Sequence, residues 1–151
     1  MKREKLEPRP GWQAQVEALG CDFHTLDGAI YWDESVCYAF TASQIDELEE
    51  ATTALETMCG DAVQHVLASG DLRKYGIPAL AEDAIMASWQ RQEQSVYGRF
   101  DLLYDGVNPP KMLEYNADTP TALLEASVLQ WQWLEEVKPG LDQFNSIHEK
   151  L

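Results

Sequence analysis

The 151 residues contain only three cysteines, Cys21, Cys37 and Cys59. An odd, widely spaced set excludes a disulfide framework, and no CxxC pair is present to suggest zinc. Reduced thiols in a cytoplasm fit the pattern. Basic charge is equally scarce: 11 Lys and Arg stand against 26 Asp and Glu, a formal net charge of −15. Such a surface repels phosphate backbones and anionic headgroups, which argues against nucleic acid and membrane surfaces as partners. A cationic ligand or a metal ion suits it better, although solubility alone accounts for the acidity. No run approaches 18 apolar residues, so no membrane span is expected. The basic start "MKREKLEPRPGW" leads into no apolar stretch and is not read as a signal peptide. Repeats and low-complexity segments are absent, and Gly98 and Gly106 are too isolated to make a phosphate loop.

What is present is enough for one domain with a real core, since 45% of the residues are hydrophobic. "GWQAQVEAL" reads as a short helix with Trp12, Val16 and Leu19 on one face. Residues 20–40 are expected to be extended or irregular around an Asp27-Gly28 turn. The clearest helix is 41–70, capped by Thr41 or Ser43, with Ser43 and Asp46 resembling a capping box. Ile45, Leu48, Thr52, Leu55, Cys59, Ala62 and Val66 form its seam, which is read as core packing. Gly60 is expected to weaken this helix, and Gly70 with Asp71 to close it. A helix starting at Pro78 would bury Leu80, Ala84, Ile85 and Trp89 or Ser88. Another over 119–137 has Thr119 as N-cap and Pro120 as its first residue, with Leu124, Val128, Trp131 and Leu134 or Glu135 buried. Trp131 and Trp133 leave it about 200° apart, so one should be core and the other half-exposed. After Pro139-Gly140, "LDQFNSIHEKL" begins a further helix.

The chemistry concentrates in "YGRFDLLYDGVNPPKMLEYNAD", two β segments around a loop at about 105–110. Paired as an antiparallel hairpin, they set Arg99 opposite Asn116 and Asp101 opposite Glu114. Alternation puts these four on one face and Phe100, Leu102, Leu113 and Tyr115 on the other, the natural core face. Two carboxylates facing each other repel unless something positive stands between them. Arg99 could do this in a solvated salt bridge. A magnesium ion is the alternative, because carboxylates and an amide carbonyl are the hard oxygen donors it takes. A helix beginning near Thr119 would add free N–H groups that favour an anion. His24, His65 and His148 are scattered and Cys59 lies in a seam, so neither a triad nor a Cys–His pair can be argued. An aromatic cage for a polyamine around the tryptophans is a weaker idea.

The elements "YGRFDLLYDG", "PPKMLEYNADTPTALLEASVLQWQWLEE" and "DGAIYWDES" resemble the glutathionylspermidine synthase family, ATP-grasp acid–amine ligases, from about residue 10 onward. The resemblance implies an α/β (α+β) pre-ATP-grasp domain, with helices on a small, mainly antiparallel sheet. It also implies a reaction in which ATP activates a glutathione-like carboxylate as an acyl phosphate, which a polyamine or other amine attacks. Arg99 then matches the arginine that stabilises the phosphate and acyl intermediate. Asp101, Glu114 and Asn116 match magnesium ligands, and Thr119 and Thr121 match small hydroxyl residues that contact the peptide. The ATP-grasp core, with its nucleotide-clamping lysines, is expected beyond residue 151 or on a separate chain. The opposing expectation is a non-catalytic remnant or interaction module that retains the fold.

Overall fold

The computed structural model describes residues 1–147, which form an α+β fold. Strand β1 (Lys2–Lys5) pairs antiparallel with β4 (Val36–Ala39). Between them in sequence lie helix α1 (Trp12–Ala18) and a small hairpin of β2 (Thr25–Leu26) and β3 (Ala29–Ile30). Helix α2 (Ala42–Ser69) follows, then a 3-10 turn (Leu72–Tyr75) and α3 (Ala79–Arg91). A second hairpin, β5 (Arg99–Leu103) and β6 (Lys111–Asn116), leads through a π turn (Glu125–Leu129) into α4 (Gln130–Val137). The antiparallel pairing expected of one small sheet is divided among three separate two-stranded ribbons. No helix among the described residues is long and apolar enough to cross a membrane.

The core joins the two ends of the chain. Trp12 and Val16 of α1 pack with Cys21 and with Leu129 of the π turn, and Leu19, Phe23, Trp32 and Leu124 close around them. The α1 face predicted by spacing is therefore the face that is buried. Alongside it runs an ion pair that spacing does not announce. The Arg9 and Glu34 side chains are 6% and 0% exposed, and they meet through Nε and Nη2 of the guanidinium. Glu34 also accepts from the Arg9 backbone N–H at 3.3 Å and from Trp32 Nε1 at 3.2 Å. Arg9 Nη1 reaches Glu136 of α4 at 3.0 Å.

Several local expectations are corrected. Of the two caps expected for α2, Thr41 and Ser43, the structure takes Thr41, and the capping box is Thr41 with Gln44, not Ser43 with Asp46. Gln44 is long enough to return to the Thr41 N–H, and its amide also donates to the Gly106 carbonyl at 2.8 Å, tying α2 to the β5–β6 loop. The helix passes through Gly60 without a break and ends at Gly70 in the left-handed conformation. Ala62, assigned to its seam, is exposed. In α3, Pro78 is the N-cap, not the first helical residue; Leu80 is 94% exposed, Ala84 is exposed and no residue is fully buried. Ile85 and Trp89 are half-buried, and Trp89 Nε1 donates to Gln64 of α2 at 2.7 Å. Residues 141–146 are not helical, and the end of that expected helix, with His148, lies outside the described residues.

The buried ion pair yields the first test. Glu34→Ala strands a buried guanidinium and is expected to cost about 3–5 kcal/mol. Glu136→Ala removes a half-exposed partner and should cost about 1 kcal/mol or less. Urea midpoints of the two variants should differ accordingly; equal midpoints would refute the central role of Glu34.

Candidate functional site

The β5–β6 hairpin has the register that alternation predicts over its first half. Arg99 faces Asn116, Phe100 faces Tyr115 and Asp101 faces Glu114. A bulge then shifts the pairing, so that Leu102 meets Met112 and Leu113 is left as the extra residue. This corrects the expectation for Leu113, which the bulge turns to solvent at 66% exposure. The opposite face docks on α2. Phe100 and Tyr115 stack at 4.1 Å between ring centroids, and the hydroxyls of Tyr115 and Tyr104 donate to Glu56 and Glu47. Tyr115 also lies so close to Gly98 that a Cβ there would stand 2.9 Å from its ring.

Arg99 organises the polar face. Its Nε and Nη2 donate to the two oxygens of Asp101 at 2.7 and 3.2 Å, a forked pairing. Nη1 donates to the carbonyl and hydroxyl oxygens of Thr121 at 3.1 and 2.8 Å. Glu114 stands 4.0 Å from Nη2 and accepts from Asn116 Nδ2 at 2.8 Å. Of the six residues marked in the sequence, five thus come together: Arg99, Asp101, Glu114, Asn116 and Thr121. Thr119 is exposed and makes no side-chain hydrogen bond among the described residues. Arg99's hydrogen bond holds the Asp101 carboxyl below its ordinary range, and the same bond raises the guanidinium.

The helix expected from Thr119 begins only at residue 123. Arg99 holds the Thr121 backbone out of helical pairing, and Ala122 follows in the left-handed region at φ 69°. Pro120 and Thr119 therefore lie in a loop, and the helical N–H groups expected beside them are not there. A second departure follows at once. Ser127 Oγ donates to the Leu123 carbonyl, which loosens the α ladder, and the turn widens to π over Glu125–Leu129. One residue is thereby inserted into the helical phase. The buried positions become Ser127, Leu129, Trp133 and Leu134 instead of Val128 and Trp131. Trp133 is the core tryptophan and Trp131 the half-exposed one.

Two side chains beside this site carried no sequence signal. Tyr31 donates from its hydroxyl to Glu125 at 2.5 Å, across 94 residues of chain. A cavity of about 1470 Å³ opens elsewhere, between β4, the start of α2 and α4. Tyr31 borders it, while Arg99, Asp101, Glu114 and Asn116 do not. Among the described residues no three His, Cys, Asp or Glu side chains cluster as metal ligands.

The described residues thus define an α+β domain that presents an arginine–carboxylate face on a hairpin and feeds it into a helix. Comparison with known proteins gives the particular family. The family model described as "Glutathionylspermidine synthase preATP-grasp" matches residues 3–151, and the chain belongs to that family. It is 48% identical over 158 aligned residues to a putative acid–amine ligase of Haemophilus influenzae, a match covering all of this chain and 40% of the relative. It is 33% identical over 105 residues to the bifunctional glutathionylspermidine synthetase/amidase of Escherichia coli, covering 68% of the chain and 17% of the relative. To the trypanothione synthetase of Crithidia fasciculata it is 38% identical over 73 residues, covering 48% and 11%. The chain thus spans less than half the length of these curated relatives.

Because the Asp101 pKa is lowered from its ordinary 3.8, its favourable contribution is complete above that value. The contribution is lost as the pH falls through the lowered value. Arg99→Gln removes the principal cause, so the Asp101 carboxyl should titrate at higher pH by NMR. An unmoved titration would show that Arg99 does not hold it.

Proposed function

We propose that this chain is the amino-terminal portion of an ATP- and magnesium-dependent acid–amine ligase. A glutathione-like peptide carboxylate would be activated as an acyl phosphate and attacked by a polyamine or other amine. The observation that carries this reading is the single guanidinium of Arg99, which joins Asp101, Thr121 and the edge of Glu114 on one open hairpin face. An arginine fixed by a carboxylate keeps its charge and its orientation. Such a group stabilises negative charge as it develops on a phosphoryl or acyl oxygen. Thr121, held through its own hydroxyl, and Thr119, free in the same loop, are the residues we assign to the peptide acid.

The residues also fit magnesium by their chemistry. Asp101 and Glu114 face each other, and among the described residues the Asn116 amide oxygen accepts no hydrogen bond; both Asp101 oxygens accept from Arg99, so a magnesium ion would share that carboxylate with the guanidinium. Asp101, Glu114 and Asn116 would hold the ion, whose charge when bound neutralises the phosphate oxygens during transfer. Three donors make half of an octahedron, so the nucleotide-binding part of the ligase would lie outside this chain, as a further segment or a separate chain. The three free thiols support a cytoplasmic setting.

Titration of the isotope-labelled chain with MgCl2 tests the metal assignment directly. The Asn116 side-chain amide signals should shift saturably, and Asp101→Asn should abolish the shift. Signals that ignore magnesium would remove the metal role. In the ligase that carries this chain, Asp101→Asn should abolish magnesium-dependent turnover, and unchanged turnover would overturn the assignment.

A further inference from the structure

The segment 121–125 is held from two sides. On one side Arg99 takes the carbonyl and hydroxyl of Thr121. On the other, Tyr31 reaches Glu125, the first residue of the π turn. Between the two grips lies Ala122, whose left-handed backbone is costly for a residue with a Cβ and persists only where its surroundings impose it. Tyr31 is itself braced. Its backbone N–H donates to the His24 carbonyl at 2.9 Å, and its ring lies 5.7 Å from that of Phe23, which packs on the core. The hydroxyl of Tyr31 is thus the end of a rigid arm built on the core.

We propose that Tyr31 and Glu125 are positioning residues of the ligase site: the phenol holds the start of the π turn, and so fixes Thr121 where Arg99 meets it. The kinetic consequence rests on the ligase reading above; the structural one does not. Tyr31 is 48% exposed, so the bond is not a pillar of the core and its loss should leave the fold intact. Electrostatics agrees with the geometry. Glu125 raises the phenol pKa, and Arg99 pulls more weakly in the opposite direction, so the phenol senses both ends of the segment.

Two measurements decide it. In the 151-residue chain, Tyr31→Phe should raise hydrogen exchange of the Ala126 amide, which donates to the Ala122 carbonyl at 3.1 Å, about tenfold, the loss expected for a hydrogen bond to a charged acceptor. Core amides such as Val16 should stay protected. Unchanged exchange at Ala126 overturns the inference whatever the protein catalyses. In the ligase that carries this chain, Tyr31→Phe and Glu125→Ala should lower kcat about tenfold or more, with KM moving less. Glu125→Gln should recover most of that loss, because its amide oxygen still accepts from the phenol. A Glu125→Gln variant as slow as Glu125→Ala overturns the positioning role, since charge and not the hydrogen bond would then matter. If the wild-type ligase forms no amide with ATP, the ligase reading falls, and the exchange result alone decides whether the clamp exists.

Discussion

The buried pair of Arg9 and Glu34 is the constraint on which the remaining arrangement depends. It ties the segment after β1 to the segment before β4, and through Glu136 it reaches α4. Removing two charges from water is expensive, and only dense hydrogen bonding offsets the cost. Glu34 meets that condition by accepting from the Arg9 side chain, the Arg9 backbone and Trp32. Trp32 in turn packs on the cluster that holds Leu129. The π turn, and with it Glu125, is therefore placed by an interaction at the other end of the chain. Lys138, just past α4, adds a parallel link to Glu4 of β1 at 2.9 Å, strong enough, with Lys2, to lower that carboxyl to about 2.

The hairpin solves a different problem. Its two faces carry opposite tasks, and neither is deeply buried. One face stacks Phe100 on Tyr115 across its own strands and anchors on α2 through two tyrosine hydroxyls that end on glutamates. The other gathers acidic groups that would repel each other without Arg99. A cation is already required there by electrostatics, before any ligand is considered. In an acidic protein of this kind, the placement of one guanidinium carries more information than the placement of many carboxylates.

Much of this was legible in the sequence, for identifiable reasons. Alternation and a Pro-Pro loop were enough to set Arg99 against Asn116 and Asp101 against Glu114, because period-two chemistry is local. Trp12 and Val16 followed from helical spacing, and Thr41 from capping chemistry. The failures were of another kind. Leu80 has the right spacing for burial, but no neighbour to bury it, and spacing is silent about neighbours. Leu113 fell on the wrong side of a bulge. Val128 and Trp131 were displaced by a π turn that depends on the Ser127 hydroxyl and on a grip from a distant strand. Arg9 and Glu34 lie 25 residues apart with nothing in either neighbourhood to join them. Tyr31 and Glu125 are farther apart still.

The division of the strands into three separate ribbons has a consequence for how the molecule breathes. A continuous sheet shares its backbone ladder, so its strands open together. Among the described residues no ladder connects β1–β4, β2–β3 and β5–β6. Full burial concentrates where α1 meets Leu129, whereas α3 buries no residue fully. The polar face of β5–β6 and the core around Leu129 thus share no backbone ladder, so a change in one need not break the backbone pairing of the other.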